Sequence, residues 1–169
     1  MDEKWKRENL IKTHVNMRTH LYRIIHGLTQ EMLLKEISDE ENYPHLLSII
    51  EHIGGAESYW FHRAKHDIAP RFSIESFDDI RMKLDENTEG IKRVIRKCPK
   101  DQLSIVPPSQ DVDPSVAWCL LRTYQHGLYH AAQISKIRHM IGAPLIASTS
   151  TWSPAVDSVI ELLRESWDR

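Results

Sequence analysis

His126 and His130 stand four residues apart in the stretch TYQHGLYHAAQISKIRHMIGAP (residues 123–144), and Gln133 follows three positions later. At about 100° per residue, positions i, i+4 and i+7 fall within roughly 60° of one another on a helix. Two imidazoles on successive turns can therefore reach one ion. An amide on the same edge can orient a ligand by hydrogen bonding. A third ligand must come from another part of the chain. Spacing offers a rival pair, His62 and His66, but these stand near an expected helix C-terminus, where the dipole favours cationic side chains without any ligand role. On spacing alone, His126 and His130 read first as two neighbouring helical histidines in a chain that has 10.

The elements that must position these residues read as helices. Over residues 4–28 the apolar positions Leu10, Ile11, Val15, Leu21, Tyr22, Ile24, Ile25 and Leu28 recur at helical rather than alternating spacing. His14, His20 and His26 lie on this helix at six-residue steps. Each step rotates by roughly 240°, which scatters them around the axis and predicts solvated or half-buried rings. Residues 31–41 predict a short helical turn and a loop. Pro44 suits the first position of a second long helix, whose apolar face holds Leu46, Leu47, Ile49, Ile50, Ile53, Ala56, Trp60 and Ala64. Within it Gly54-Gly55 costs about 1 kcal/mol per residue against alanine, which close packing or room for a ligand would explain.

Residues 67–76 form a linker around Pro70, and Ser76-Phe77-Asp78-Asp79 resembles an N-cap with an acidic first turn. The third helix runs to residue 97 and ends on Lys92, Arg93, Arg96 and Lys97, the charge order that compensates the dipole. Residues 98–113 contain Pro99, Pro107 and Pro108 and cannot form one helix. Asp113-Pro114 then predicts an N-cap and first helical position for the fourth helix, with Val116, Leu120, Tyr124, Ala131 and Ile134 facing the core. Trp118 and Tyr129 fall on an outward stripe, so a C-terminal tail or a second subunit, hence a homodimer, is expected to cover them. A final short helix is expected over residues 155–165.

The expected architecture is all-α: a single domain over residues 1–169, a four-helix bundle with a short extra C-terminal helix. The ten-residue linker reaches about 33–36 Å, enough to cross a bundle whose helices have about 22 residues at 1.5 Å rise. Spacing alone also allows simple up-and-down packing. Composition is ordinary for a soluble chain, 41% hydrophobic and 27% charged. A net charge of −2 gives no large positive field for nucleic acid. No apolar run approaches the roughly 20 residues of a membrane helix, and the charged MDEKWKREN is no signal peptide. Cys98 and Cys119 make no disulfide framework, which predicts a reducing, cytoplasmic setting.

The segment IIEHIGGAESYW, with His52 followed by Glu57 and then Tyr59 and Trp60, resembles the second helix of the DinB/YfiT-like family. The run His126, His130, Gln133-Ile134, Arg138, Gly142 and Pro144 is similar to that family's fourth-helix signature, and HGLTQEMLLKEI to its first helix and the turn beyond. One departure is Ala132, where many members carry glycine before the glutamine. The resemblance implies a four-helix bundle in up-down-down-up order that carries a divalent metal on three histidines, here His52, His126 and His130. Periodicity does not select His52, which lies roughly 120° from the middle of its helix's apolar face. With both histidine edges on the flanks of their helices, such a site belongs at a seam or an open end of the bundle.

Three neutral imidazoles leave a divalent ion with open positions, as in catalytic rather than structural zinc sites. Such an ion can acidify a water or hold a thiolate. Metal-dependent hydrolysis is one enzyme class this allows. The resemblance adds a thiol-dependent transferase or isomerase, with a low-molecular-weight thiol as partner beside a small-molecule substrate. Gln133, Glu57 and Tyr59 are the candidate substrate or outer-sphere contacts. Zinc or nickel heads the metals that imidazole suits, with iron or manganese next. A different class is a non-catalytic metal-binding stress-response protein whose ion only fixes the bundle. An interaction module without metal would leave the histidines too far apart to share an ion.

Overall fold

The first helix starts where an acidic side chain can take an orphan amide: Asp2 Oδ1 accepts from the Lys4 N–H at 3.0 Å, and α1 runs over Glu3–Ile25. In this computed structural model, which describes residues 2–37, 43–69, 72–74 and 76–144, the chain continues through a short α2 (Gln30–Leu34). Then follow α3 (Leu46–Arg63), α4 (Asp79–Lys97), a 3-10 turn at Lys100–Leu103, and α5 (Val116–Met140). The described residues form no strand, so the all-α expectation holds, with four long helices and one short. None of these helices is long and apolar enough to cross a membrane. The helix expected over residues 155–165, and any covering role for that tail, lie outside the described residues.

Two helix starts differ from expectation for the same reason. Helix α3 begins beyond Pro44, at a capping box in which His45 Nδ1 accepts from the Ser48 N–H at 3.0 Å and Ser48 Oγ accepts from the His45 N–H at 3.4 Å. Helix α5 begins beyond Asp113-Pro114, where Ser115 Oγ accepts from the Trp118 N–H at 3.2 Å. In each case the cap went to the side chain that reaches an N3 amide, and the proline stands one position before it. Asp113 pairs instead with Lys65 across 3.6 Å. The Pro44 carbonyl accepts from the Ile37 N–H at 2.9 Å, which ties down the approach to α3.

Helix α5 packs on α1 and α3, and α4 packs on the same two. One group of buried side chains, among them Leu21, Ile49, Ile50, Ile53, Leu84 and Ile134, fills one part of the interior; Phe61, Ile91, Ile95, Val116 and Leu120 fill another. His14 and His20 correct the sequence reading, because both are buried. The rotation that scatters them around α1 turns them toward neighbouring helices rather than toward water. His14 Nε2 lies 3.3 Å from Thr88 Oγ1 on α4, and burial holds the ring well below its ordinary pKa.

The described interior also holds an ion pair. Arg18 Nη2 reaches Glu57 Oε1 at 2.7 Å and Oε2 at 2.6 Å, and Asn87 Nδ2 donates to Oε2 at 3.0 Å. Arg18 Nε donates to Thr88 Oγ1, whose hydroxyl donates to the Leu84 carbonyl. Helices α1, α3 and α4 thus meet in one polar network.

Close approach explains two glycines. A Cβ on Gly54 would overlap the Phe72 ring, so close packing, rather than space for a ligand, accounts for it. A Cβ on Gly90 would run into the Ile68 carbonyl. Gly90→Ala is therefore expected to cost about 1–3 kcal/mol of stability, the usual penalty for overpacking. Urea unfolding of the variant checks this, and an unchanged midpoint would refute it.

The end of α5 is fastened to the end of α1. The Ala143 N–H bonds the Arg138 carbonyl at 3.0 Å and the Gly142 N–H bonds the His139 carbonyl at 3.2 Å, a Schellman termination that needs the positive φ of Gly142. The Arg138 guanidinium then donates to the carbonyls of Ile24 (3.0 Å), His26 (3.0 Å) and Pro144 (2.6 Å). It satisfies acceptors that two helix ends leave open.

Candidate metal centre

The packed edges of α3 and α5 bring the three histidines together. His52 Nε2 lies 2.9 Å from His126 Nε2, and His130 Nε2 lies 3.1 Å from the same atom. One ligand nitrogen from each of the three falls within 4.8 Å of the others. Nitrogens bound to one ion at about 2.0–2.1 Å stand about 3.0 Å apart in adjacent octahedral positions and about 3.4 Å apart in a tetrahedron. The two closest separations, both to His126, suit neighbouring positions on one ion.

Hydrogen bonding sets which nitrogen of one ring faces the cluster. His130 Nδ1 lies 2.8 Å from Gln133 Oε1, an acceptor, so Nδ1 is the donor of this contact and Nε2 is the nitrogen turned toward the cluster. Gln133 thus sits against the far side of the His130 ring, away from the gathered Nε2 atoms. Burial is graded across the centre: His130 is buried, His126 half-buried and His52 exposed. The cluster therefore opens to one side, as its place on the flanks of two helices requires. Burial first, then the charges of His130, His52 and Arg122, push His126 down to about 4. Burial and His130 lower His52 as well.

Aromatic rings flank the cluster. Tyr43 lies 5.1 Å from the His52 ring and 5.5 Å from the His130 ring, centroid to centroid, and Tyr129 lies 5.0 Å from the His130 ring. The stripe expected to face away from the core divides. Trp118 is half-buried, edge-on to Trp60 at 5.1 Å, while Tyr129 is 68% exposed.

The other candidate residues lie elsewhere. Glu57 is 1% exposed and occupied by Arg18 and Asn87, and it is not among the groups gathered around the imidazoles. Tyr59 is exposed and edge-on to Trp60 at 5.0 Å. It shares the His52 edge of α3 but stands about 10.5 Å further along the axis. The pair His62 and His66 does not form, since α3 ends at Arg63; His62 Nδ1 lies 2.9 Å from Asp67 Oδ1 instead. Cys119 is a packed thiol as expected: its Sγ–H donates to the Trp60 carbonyl at 3.2 Å and burial pushes its pKa up to about 12.

Two neighbours of the centre escaped the sequence reading. Tyr43 reaches it from the approach to α3, where no helical period applies. Arg122 precedes His126 by one turn, a spacing that was available in the sequence. Comparisons of the chain with protein-family models, curated proteins and solved structures find no match.

Proposed function

We propose that this chain is a divalent-metal-binding helical protein of the DinB/YfiT-like type, with His52, His126 and His130 as the protein ligands and zinc or nickel as the preferred ion. The observation that carries the reading is the convergence of three Nε2 atoms, one of them turned inward by Gln133. Lone pairs so close repel one another unless a proton or a cation lies between them. Burial works against the proton. The donor set is all imidazole, which suits zinc, nickel, copper and iron.

Up-down-down-up connectivity belongs to the same reading. It is supported by long-range contacts that pair Arg7 with Cys98 and Tyr22 with Asp85, so that α1 and α4 run oppositely. Trp60 beside Trp118 and His52 beside His126 do the same for α3 and α5. Met17 beside Gly127 and Ile24 beside Arg138 support a parallel α1 and α5.

Enzyme action, whether thiol-dependent transfer or isomerisation or metal-dependent hydrolysis, is supported by the number of ligands. Three histidines, with no fourth His, Cys, Asp or Glu beside them among the described residues, match catalytic zinc sites better than structural ones. When bound, the ion supplies Lewis acidity and a positive centre for an anionic ligand. The chain itself supplies the orienting amide of Gln133 and the aromatic flanks of Tyr43 and Tyr129.

Metal analysis of untagged protein tests the reading. A stoichiometric ion in the wild type that is absent from His52→Ala, His126→Ala and His130→Ala is the expected result; equal metal content in all four would refute it. Gln133→Ala is expected to weaken affinity by about 10–100-fold, the usual effect of losing an outer-sphere partner. Competition against a chromophoric chelator measures this, and unchanged affinity would leave Gln133 as a surface amide.

A further inference from the structure

We propose that Arg122 anchors a carboxylate of the small-molecule ligand taken by the three-histidine centre, so that the preferred ligands are dianions with one acidic group at the centre and a second on the guanidinium. The inference rests on the metal-binding reading above and adds the chemical class of its ligand.

Arg122 stands four residues before His126 on α5, which places the two side chains on neighbouring turns of one edge, about 5–6 Å apart at Cβ. Its guanidinium leans toward the histidine's turn: Nη1 donates to Gln125 Oε1 at 3.0 Å. From the other side of the α3–α5 seam the Trp60 ring supports it, with Cζ 5.8 Å from the ring centroid. Trp60 is itself held edge-on by Trp118. The guanidinium is thus held along the α3–α5 seam, on the Trp60 side of the centre, rather than trailing in solvent.

Among the described residues no acidic side chain pairs with its charge. Among the described residues its hydrogen-bond partner is a neutral amide. Glu57, the buried acid of α3, is occupied by Arg18, and Glu51 accepts from the Ile74 N–H. Three imidazoles bring no negative charge, so a divalent ion beside Arg122 would make a strongly positive patch. An amine is repelled by it, and a monoacid can satisfy only one of the two positive groups. A diacid satisfies both. Guanidinium and carboxylate also match in planar, two-pronged geometry.

The test uses the full chain loaded with cobalt(II), whose visible absorption reports on groups entering the coordination sphere. Glutarate and succinate are titrated against their monomethyl esters, which keep the size but lose one charge. Each diacid is expected to bind about tenfold more tightly than its ester, the scale of one charge-assisted contact in a half-buried site. Arg122→Gln should bring that ratio close to unity without changing ester affinity. Arg81→Gln, which removes the same charge on α4 beside Tyr22, should leave the ratio intact. A preference that survives Arg122→Gln, or no preference in the wild type, overturns the proposal while the metal reading stands. A wild type that takes up no cobalt overturns both.

Discussion

Replacing His126 with alanine is expected to abolish stoichiometric zinc binding and, with it, all metal-dependent protection against unfolding. His126 is the shared neighbour in the cluster, since both short Nε2 separations run to it. A ligand present at 1,000 times its dissociation constant stabilises the folded state by about 4 kcal/mol. That gain should be visible as a raised melting midpoint in the zinc-loaded wild type, lost on adding chelator and missing from the variant. The fold itself should survive. The buried apolar side chains of α3 and α5, Ile49, Ile50, Ile53 and Ile134 among them, do not depend on the imidazole.

The pH dependence has a definite sign. His126 and His52 are held below the unfolded reference of about 6.5 in the folded chain. Their contribution is therefore present above about 6.5 and lost as pH falls toward the folded value, about 4 for His126. Bound zinc would add to the same trend, because protons compete for the same lone pairs. Melting with and without chelator from pH 8 to 5 should show a gap that closes as pH falls. A wild-type midpoint unmoved when measured metal is stripped would refute the coupling.

Glu57→Gln is expected to destabilise the protein by about 3–5 kcal/mol, because it leaves the Arg18 charge buried without its counterion. At 3% and 1% side-chain exposure, neither partner can turn to water. Asn87 also loses the charged end of its bond to Oε2. Against a typical total of 5–15 kcal/mol, that is a large fraction. Removing both charges together, as Arg18→Met with Glu57→Leu, should recover most of the loss, since well-packed apolar pairs often equal buried ion pairs. Chemical denaturation of wild type, Arg18→Met, Glu57→Leu and the double makes the cycle. A single variant within 1 kcal/mol of wild type, or a double worse than the sum of the singles, would show that the pair is not the fastener described here.

Much of this was legible in the chain because helices are periodic. The four long helices follow from the recurrence of residues such as Leu46, Ile49, Ile50 and Ile53, and the edge formed by His126, His130 and Gln133 from their spacing alone. His52 was not legible that way. It lies off the apolar face of its own helix, and only the resemblance to a known pattern selected it. What failed to show was set by contacts between segments distant in sequence. His14 and His20 look solvated or half-buried on an isolated helix and are buried by its neighbours. Glu57 looks like a companion of His52, but its partner Arg18 is 39 positions away. Tyr43 comes from a loop and carries no period. The starts of α3 and α5 were misplaced because a proline fits the first turn of a helix in general, while only the structure shows whether His45 or Ser115 reaches an amide.

The clasp of Arg138 on the carbonyls of Ile24 and His26 also bears on how the chain can be made. Its two sides are separated by 114 and 112 positions. At about 5–20 residues per second on the ribosome, the end of α1 waits on the order of 5–20 seconds before its fastener exists. Through that interval the faces of Leu21 and Ile24 that α5 later covers have no native cover. The early chain therefore depends on provisional burial, against α3 and α4 or a chaperone. Folding can finish only as a late event, when the last long helix docks against the first.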